Sequence, residues 1–261
     1  MFLDLPSNPL QWMNLGNWKH LDPSTNFVEA CEATARSLAD AVCLSKEHRV
    51  VDVGFGCGDQ NFYFLKHYGV SHIIGYNSSR DQVEIAKSRC VAMEERRFEP
   101  RFGVAPLLDV QHESADVVLS LDSAYHYNTR DHFVRESWNW LRPGGRLGLV
   151  DLVLNAPPTL PQWFLLLIFS KMIGIPLQNL YDSQDYRKMM EKHGYHDIKF
   201  ETLDACAFSH LPTFIDRQLD TYGSILNPLL IAKYKMISTG MRLLAKLQLF
   251  SFVVVVGSRT K

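Results

Sequence analysis

The stretch VVDVGFGCGDQ, residues 50–60, sets the tightest limit on how this chain can fold. A β-branched run, RVVDV (49–53), leads straight into three glycines at alternate positions, Gly54, Gly56 and Gly58. QNFYFLKHYG (60–69) follows with helical character and closes on Gly69. The order predicts a buried strand, a tight turn and a helix. Glycine lacks a Cβ, so such a turn accepts positive φ and lets a ligand lie against the backbone. The spacing is GxGxG, whereas a dinucleotide fingerprint, GxGxxG, would want its third glycine where the chain has Asp59. A pyrophosphate beside that carboxylate would be repelled, which favours a ligand without phosphates.

The surrounding segments continue the alternation. Phe27, Cys31, Thr34, Ala35, Leu38 and Val42 form one helical stripe over 24–43, with Ser24 available as a cap. SHIIGY (71–76) reads as a strand, 81–97 as a helix, ADVVLSL (115–121) as a strand and 131–141 as a helix stopped by RPGG (142–145). RLGLVDLVL (146–154) begins another strand, 183–195 a helix, 196–204 a strand, and LFSFVVVVG (249–257) a last strand. The fold class expected is α/β, a doubly wound, mostly parallel Rossmann-like sheet whose ligand crevice lies at the carboxyl ends of the strands. Residues 1–261 are read as one domain, with a cofactor-binding core at 13–154 and helical cap insertions at 155–182 and 205–248.

Composition narrows the function. With 27 Lys and Arg against 28 Asp and Glu and no long basic run, the chain is ill suited to nucleic acid as its main partner. Its 5 cysteines are scattered and never spaced as CxxC, which fits buried thiols in a reducing compartment better than a zinc site. His193 and His196 straddle Gly194 at a helix end, where contact with the helix dipole is the simpler explanation, so no metal site is expected. MFLDLPSNPLQW lacks a secretory pattern, and the expectation is a cytoplasmic protein.

DVGFGCG, the Asn77 region, YHY at 125–127 and LRPGG at 141–145 together resemble the class I S-adenosylmethionine-dependent methyltransferases. MNLGNW (13–18) and GYNSSRDQ (75–82) are similar to their small-molecule and lipid branch, including sterol and tocopherol methyltransferases. The resemblance covers roughly residues 13–154 well and the rest loosely. It implies S-adenosyl-L-methionine as cofactor, with Gly54, Gly56 and Gly58 along its methionine part, and Asp52 anchoring the turn or the amino group. Asp122 would touch the amino group, and Trp18, with Trp12, would form a flap over the cofactor, or only a packed arm. The family usually has an acid for the ribose hydroxyls where this chain has Asn77, with Ser78 beside it and Gln82 five residues on, as among sterol-type relatives. An amide supplies one acceptor and one donor, so that clamp is altered. Val104 stands where an acid would meet the adenine amine, which leaves backbone groups around Ala105 for that base.

Methyl transfer to a hydroxyl or ammonium group requires loss of a proton, and a base near its own pKa serves there. His126, in the loop after the 115–121 strand, is the leading candidate; the alternative is a loop histidine that only packs. In family terms His126 and Asp151 resemble a pair used by some small-molecule O-methyltransferases, with Asp151 orienting the ring, or else only capping a strand end. Tyr125 and Tyr127 would wall the pocket, and Tyr125 could also join the chemistry. WFLLLIF (163–169) is too short to span a bilayer and reads as core, lid or interfacial patch; 235–247 is amphipathic, with core packing and membrane contact both open. The expected function is methylation of a small, lipophilic or aromatic acceptor, on oxygen first. C-methylation of an isoprenoid or sterol-like substrate, or a non-catalytic cofactor-binding partner protein, are the rivals.

Overall fold

The computed structural model describes residues 11–19, 26–204 and 207–260. Helix α1 (Phe27–Ala41) is capped by the Asn26 side chain, which accepts from Glu29 N; the expected cap, Ser24, lies outside the described residues. There follow β1 (Arg49–Val53), α2 (Asp59–His67), β2 (His72–Asn77), α3 (Arg80–Ala92), β3 (Phe98–Phe102) and β4 (Ala115–Leu121). The chain continues through α4 (Arg130–Trp140), β5 (Leu141–Leu154), α5 (Leu160–Ile173), α6 (Ser183–Lys192), β6 (Tyr195–Asp204), α7 (Ala207–Tyr222), α8 (Pro228–Lys246) and β7 (Phe250–Arg259). Two of these depart from the sequence reading. β3, FEPRF, carries charges and a proline that hide its strand character, and it survives as an edge strand paired only with β2. RPGG does not separate α4 from β5: the chain turns directly into the strand and absorbs those residues as a register shift against β4.

The seven strands lie in the order β3-β2-β1-β4-β5-β7-β6. β1 to β5 are parallel, and β7 runs antiparallel between β5 and β6. Strand order reverses at β1/β4, so the β1–α2 turn and the β4–α4 loop diverge to opposite faces and leave a crevice between them. On one face α1, α2, α3 and the helices α5, α7 and α8 pack on Val50, Ile73, Val117, Val150 and Val254. On the other, α4 and α6 cover Val51, Val118, Leu149 and Val255. The β-branched residues of each strand therefore feed both cores, as a parallel sheet covered on both sides requires. Among the described residues, no helix is long and apolar enough to cross a membrane.

Candidate active site

The switch point opens into a cleft of about 480 Å³. Its floor is the glycine turn. Gly54 has φ 81°, and a Cβ there would stand 2.2 Å from Ser123 Oγ, so only glycine fits. The crowding comes from a hydroxyl cluster that holds the turn: Ser123 Oγ and Tyr127 Oη both donate to the Val53 carbonyl, at 3.2 and 2.8 Å. Gly56, φ 60°, is less crowded: a Cβ there would meet the Met13 side chain at an ordinary 3.7 Å. Gly58 differs from the sequence expectation: it does not line the cleft but begins α2 pressed against Phe98 and Phe62, where a Cβ would sit 2.9 Å from the Phe98 ring. It serves helix-to-sheet packing.

Asp52 also lies behind the turn and outside the cleft lining, fully buried, accepting from Gln60 Nε2 at 2.8 Å. Its Oδ1 has no partner, and burial pushes its pKa up to about 7. Gln60 itself lines the cleft, so Asp52 acts on that wall through Gln60. Asp59, invoked above as an electrostatic barrier to phosphates, is held at both oxygens by Arg89, at 2.9 and 2.8 Å. Its charge is compensated, and the repulsion argument fails. The spacing GxGxG remains.

On the next strand Asn77 donates from Nδ2 to the Gly56 carbonyl (2.9 Å) and to Gln82 Oε1 (2.6 Å). The amide thus ties the glycine turn to α3 and keeps Oδ1 as an acceptor at the cleft, which Ser78 and Gln82 also line. Val104 and Ala105 form the far wall; Val104 is exposed and pairs with Leu107 in an isolated bridge.

The opposite wall follows β4. Asp122, with φ 56°, lines the cleft and accepts from the Tyr125 hydroxyl (2.8 Å) and from Leu15 N (2.7 Å). Burial pushes its pKa up to about 8. Burial and the neighbouring Asp122 push the Tyr125 hydroxyl well above its usual range, so it remains a proton donor to that carboxylate and is no base. His126 lies on the cleft wall with Nδ1 3.2 Å from the Gly174 carbonyl. A carbonyl only accepts, so the neutral ring carries its proton on Nδ1 and offers the Nε2 lone pair. Desolvation lowers the pKa of the ring below its ordinary value, which keeps it neutral at physiological pH.

Asp151 does not orient that ring. Its carboxylate accepts from Arg130 (3.0 Å), the Tyr186 hydroxyl (2.8 Å) and Leu152 N (2.8 Å), beneath the cleft and outside its lining. The pair is 1% and 0% exposed at the side chains. What positions His126 is a residue missed in the sequence: Asn179, 1% exposed, whose Nδ2 donates to the carbonyls of Tyr125 and Tyr127, on either side of the histidine. Its Oδ1 accepts from Arg130 N at the start of α4. No local motif marks it, because its partners lie about fifty residues away in sequence.

Trp18, expected over the cofactor, is 7% exposed and packs on Phe27, His210 and Phe214, with Nε1 donating to the Leu15 carbonyl. It anchors the arm; Gln11, Trp12, Met13 and Asn14 are the arm residues at the cleft. Among the described residues, none of 155–182 or 205–248 lines the cleft, so their helices do not form its walls; Gly174 reaches it through His126. Neither lysine nor arginine lines it among the described residues.

A methyltransferase domain family matches residues 50–145. Over 202 residues the chain is 31% identical to erythromycin 3''-O-methyltransferase of Saccharopolyspora erythraea, covering 74% of this chain and 64% of that one. It is 30% identical over 170 residues to phosphoethanolamine N-methyltransferase 1 of Triticum aestivum, covering 64% of this chain and 32% of that one. The chain therefore spans less than two thirds of the length of either relative. Among solved structures, the cyclopropane synthase MmaA2 from Mycobacterium tuberculosis superposes with a TM-score of 0.81 at 17% identity, over 99% of this chain and 93% of that one, a likeness of fold.

Proposed function

From the methyltransferase-domain match and the similarity to an O-methyltransferase, we propose that this chain is a class I S-adenosylmethionine-dependent methyltransferase that transfers the methyl group of S-adenosylmethionine to a hydroxyl of a small, lipophilic or aromatic acceptor. The observation that carries this reading is the acid in the cleft wall: Asp122 has no cationic partner among the described residues and no lysine or arginine lines the cleft, so its buried carboxyl, protonated when alone, ionises against an incoming cation. A donor bearing both a sulfonium and an ammonium group suits such a wall. When bound, S-adenosylmethionine supplies an electrophilic methyl carbon whose transfer disperses a positive charge, a process favoured by a dry, preorganised site.

The chain's residues then have separate tasks. The bare backbone at Gly54 and Gly56 admits the methionine part, and Asn77 Oδ1 accepts from a ribose hydroxyl while its Nδ2 holds the turn. Backbone groups beside Val104 and Ala105 take the adenine. Asp122 accepts from the ammonium. His126 Nε2 receives the acceptor's hydroxyl proton, with Nδ1–H pinned on Gly174. Trp12, Phe55, Leu121 and Tyr127 add apolar surface to the cleft beside its polar residues, which favours a lipophilic acceptor.

Radiolabelled methyl transfer to a panel of hydroxylated apolar acceptors tests this. His126→Ala is expected to lower kcat by about 10²–10⁴-fold with S-adenosylhomocysteine affinity kept; unchanged kcat removes the base role. C-methylation is the second reading, favoured by Asp122, which faces no cation among the described residues, and the Tyr125 ring in one cleft, where a carbocation could be stabilised. Turnover of an alkene acceptor that survives His126→Ala selects it. Cofactor binding without transfer to any acceptor selects a non-catalytic role.

A further inference from the structure

The helices inserted at 155–182 and 205–248 do not wall the cleft, yet they carry much of the exposed apolar surface. On α5, Leu160, Trp163, Phe164, Leu167, Ile168 and Met172 recur every three or four residues and are 86, 38, 65, 44, 54 and 39% exposed. That period is one face of a helix, and the opposite face, Leu166 and Phe169, already fills the core. On α8, Leu229, Met236 and Leu243 repeat at seven-residue intervals, 80, 54 and 43% exposed. The two stripes adjoin: Gly240, between Met236 and Leu243 on the same side of α8, lies so that a Cβ there would be 3.9 Å from Met172 Cε. A continuous apolar face of this extent on a folded chain marks an interaction surface.

Charge identifies the partner. Segments 155–181 and 221–250 contain Lys171, Lys233, Lys235, Arg242 and Lys246 and no aspartate or glutamate, although the whole chain is net −1. Around α8, Lys233 falls on one side of the apolar stripe and Lys235, Arg242 and Lys246 on the other. Arg242 pairs with Asp216 of α7, whereas the four lysines, among the described residues, meet no carboxylate. An apolar stripe rimmed by long cationic side chains is the pattern of a helix lying in the headgroup region, its aliphatic stems in the acyl boundary and its ammonium groups on lipid phosphates. Pairing of two copies through this face would gather the same cations with no acid to meet them, which disfavours a self-docking surface.

We propose that the joint face of α5 and α8 seats this protein on the surface of an anionic phospholipid bilayer. The seated face adjoins the cleft, since α5 ends at Gly174, whose carbonyl contacts His126. That suits the lipophilic acceptor proposed above, but the docking stands without that reading. The test is co-sedimentation of the full chain with vesicles of phosphatidylcholine alone or mixed with phosphatidylserine. Binding is expected on the mixed vesicles and is expected to weaken as salt rises. Phe164→Asp with Ile168→Asp, and separately Lys233→Glu with Lys235→Glu, should each weaken it by about tenfold or more. All four residues are exposed, and an unchanged thermal shift with S-adenosylhomocysteine confirms an intact fold and cleft. No binding to the mixed vesicles overturns the proposal, as does binding that ignores both double variants. A concentration-dependent dimer that the apolar double variant breaks, without vesicle binding, assigns the face to a second copy instead and overturns it too.

Discussion

The two walls of the cleft are built by different means. The β1–β2 wall is local: Gly54, Gly56, Asn77 and Gln82 fall within twenty-nine consecutive residues of a turn, a helix, a strand and the start of the next helix, and Asn77 ties them with two hydrogen bonds. The β4 wall is assembled from a distance: Leu15 reaches Asp122 across 107 positions, Asn179 spans 54 to Tyr125, and Gly174 spans 48 to His126. Local backbone geometry suffices to shape a surface for a ligand that is always the same. Placing an imidazole against a variable partner takes contacts that only the finished fold provides.

If that contrast is right, the largest loss follows from the buried polar platform below the β4 wall. Asp151→Ala would strand the Arg130 guanidinium, whose Nε and Nη1 already lack partners, and should cost about 3–5 kcal/mol in urea unfolding. In whatever remains folded, the acid limb of the kcat pH profile should move to lower pH, because the Asp151 charge raises the His126 pKa through space, while kcat on the plateau is kept because Asp151 does not touch the ring; a lost plateau would restore the orienting role. Asn179→Ala comes next. It frees the carbonyls on both sides of His126 and should lower kcat about tenfold or more while leaving S-adenosylhomocysteine affinity unchanged. Equal losses in both quantities would blur the division between the walls.

Asn77→Ala should show the converse, weaker cofactor binding by roughly tenfold with kcat at saturation retained. The smallest effect is a gain. Asp52 has a folded pKa near 7 against a reference of 3.8, so the native state holds its proton more tightly and this group's contribution to stability falls as pH climbs from about 4 to about 7. Asp52→Asn keeps the acceptor for Gln60 and removes the buried charge. It should raise stability at pH 8 and leave it unchanged near pH 4, read as a difference in Tm between the two pH values; a pH-independent change would mean that the carboxyl is not titrating there.

The same contrast governs what could be read from residues alone. The sheet, the crevice and the first wall were legible because β-branched runs, glycine spacing and helical periods are local signals. Gly58 was misplaced since spacing does not distinguish a glycine under a ligand from one under Phe98. Asp151 was paired with the wrong residue because its neighbour Arg130 comes from α4 and Tyr186 from α6, a meeting fixed by how two helices pack on one strand. Trp18 was expected at the cleft, but it stacks on α1 and α7, and α7 enters the chain almost two hundred residues later. Asn179 carried no signal of its own. The apolar insertions were visible as segments, while their outward orientation emerges only once Leu166 and Phe169 are seen to occupy the core.

Titration calorimetry of the folded wild-type chain with S-adenosylmethionine and S-adenosylhomocysteine bears most directly on the central claim. The account predicts saturable binding of both at one site per chain, weakened by Asn77→Ala and indifferent to Asn179→Ala. A well-folded chain that takes up neither compound would contradict it.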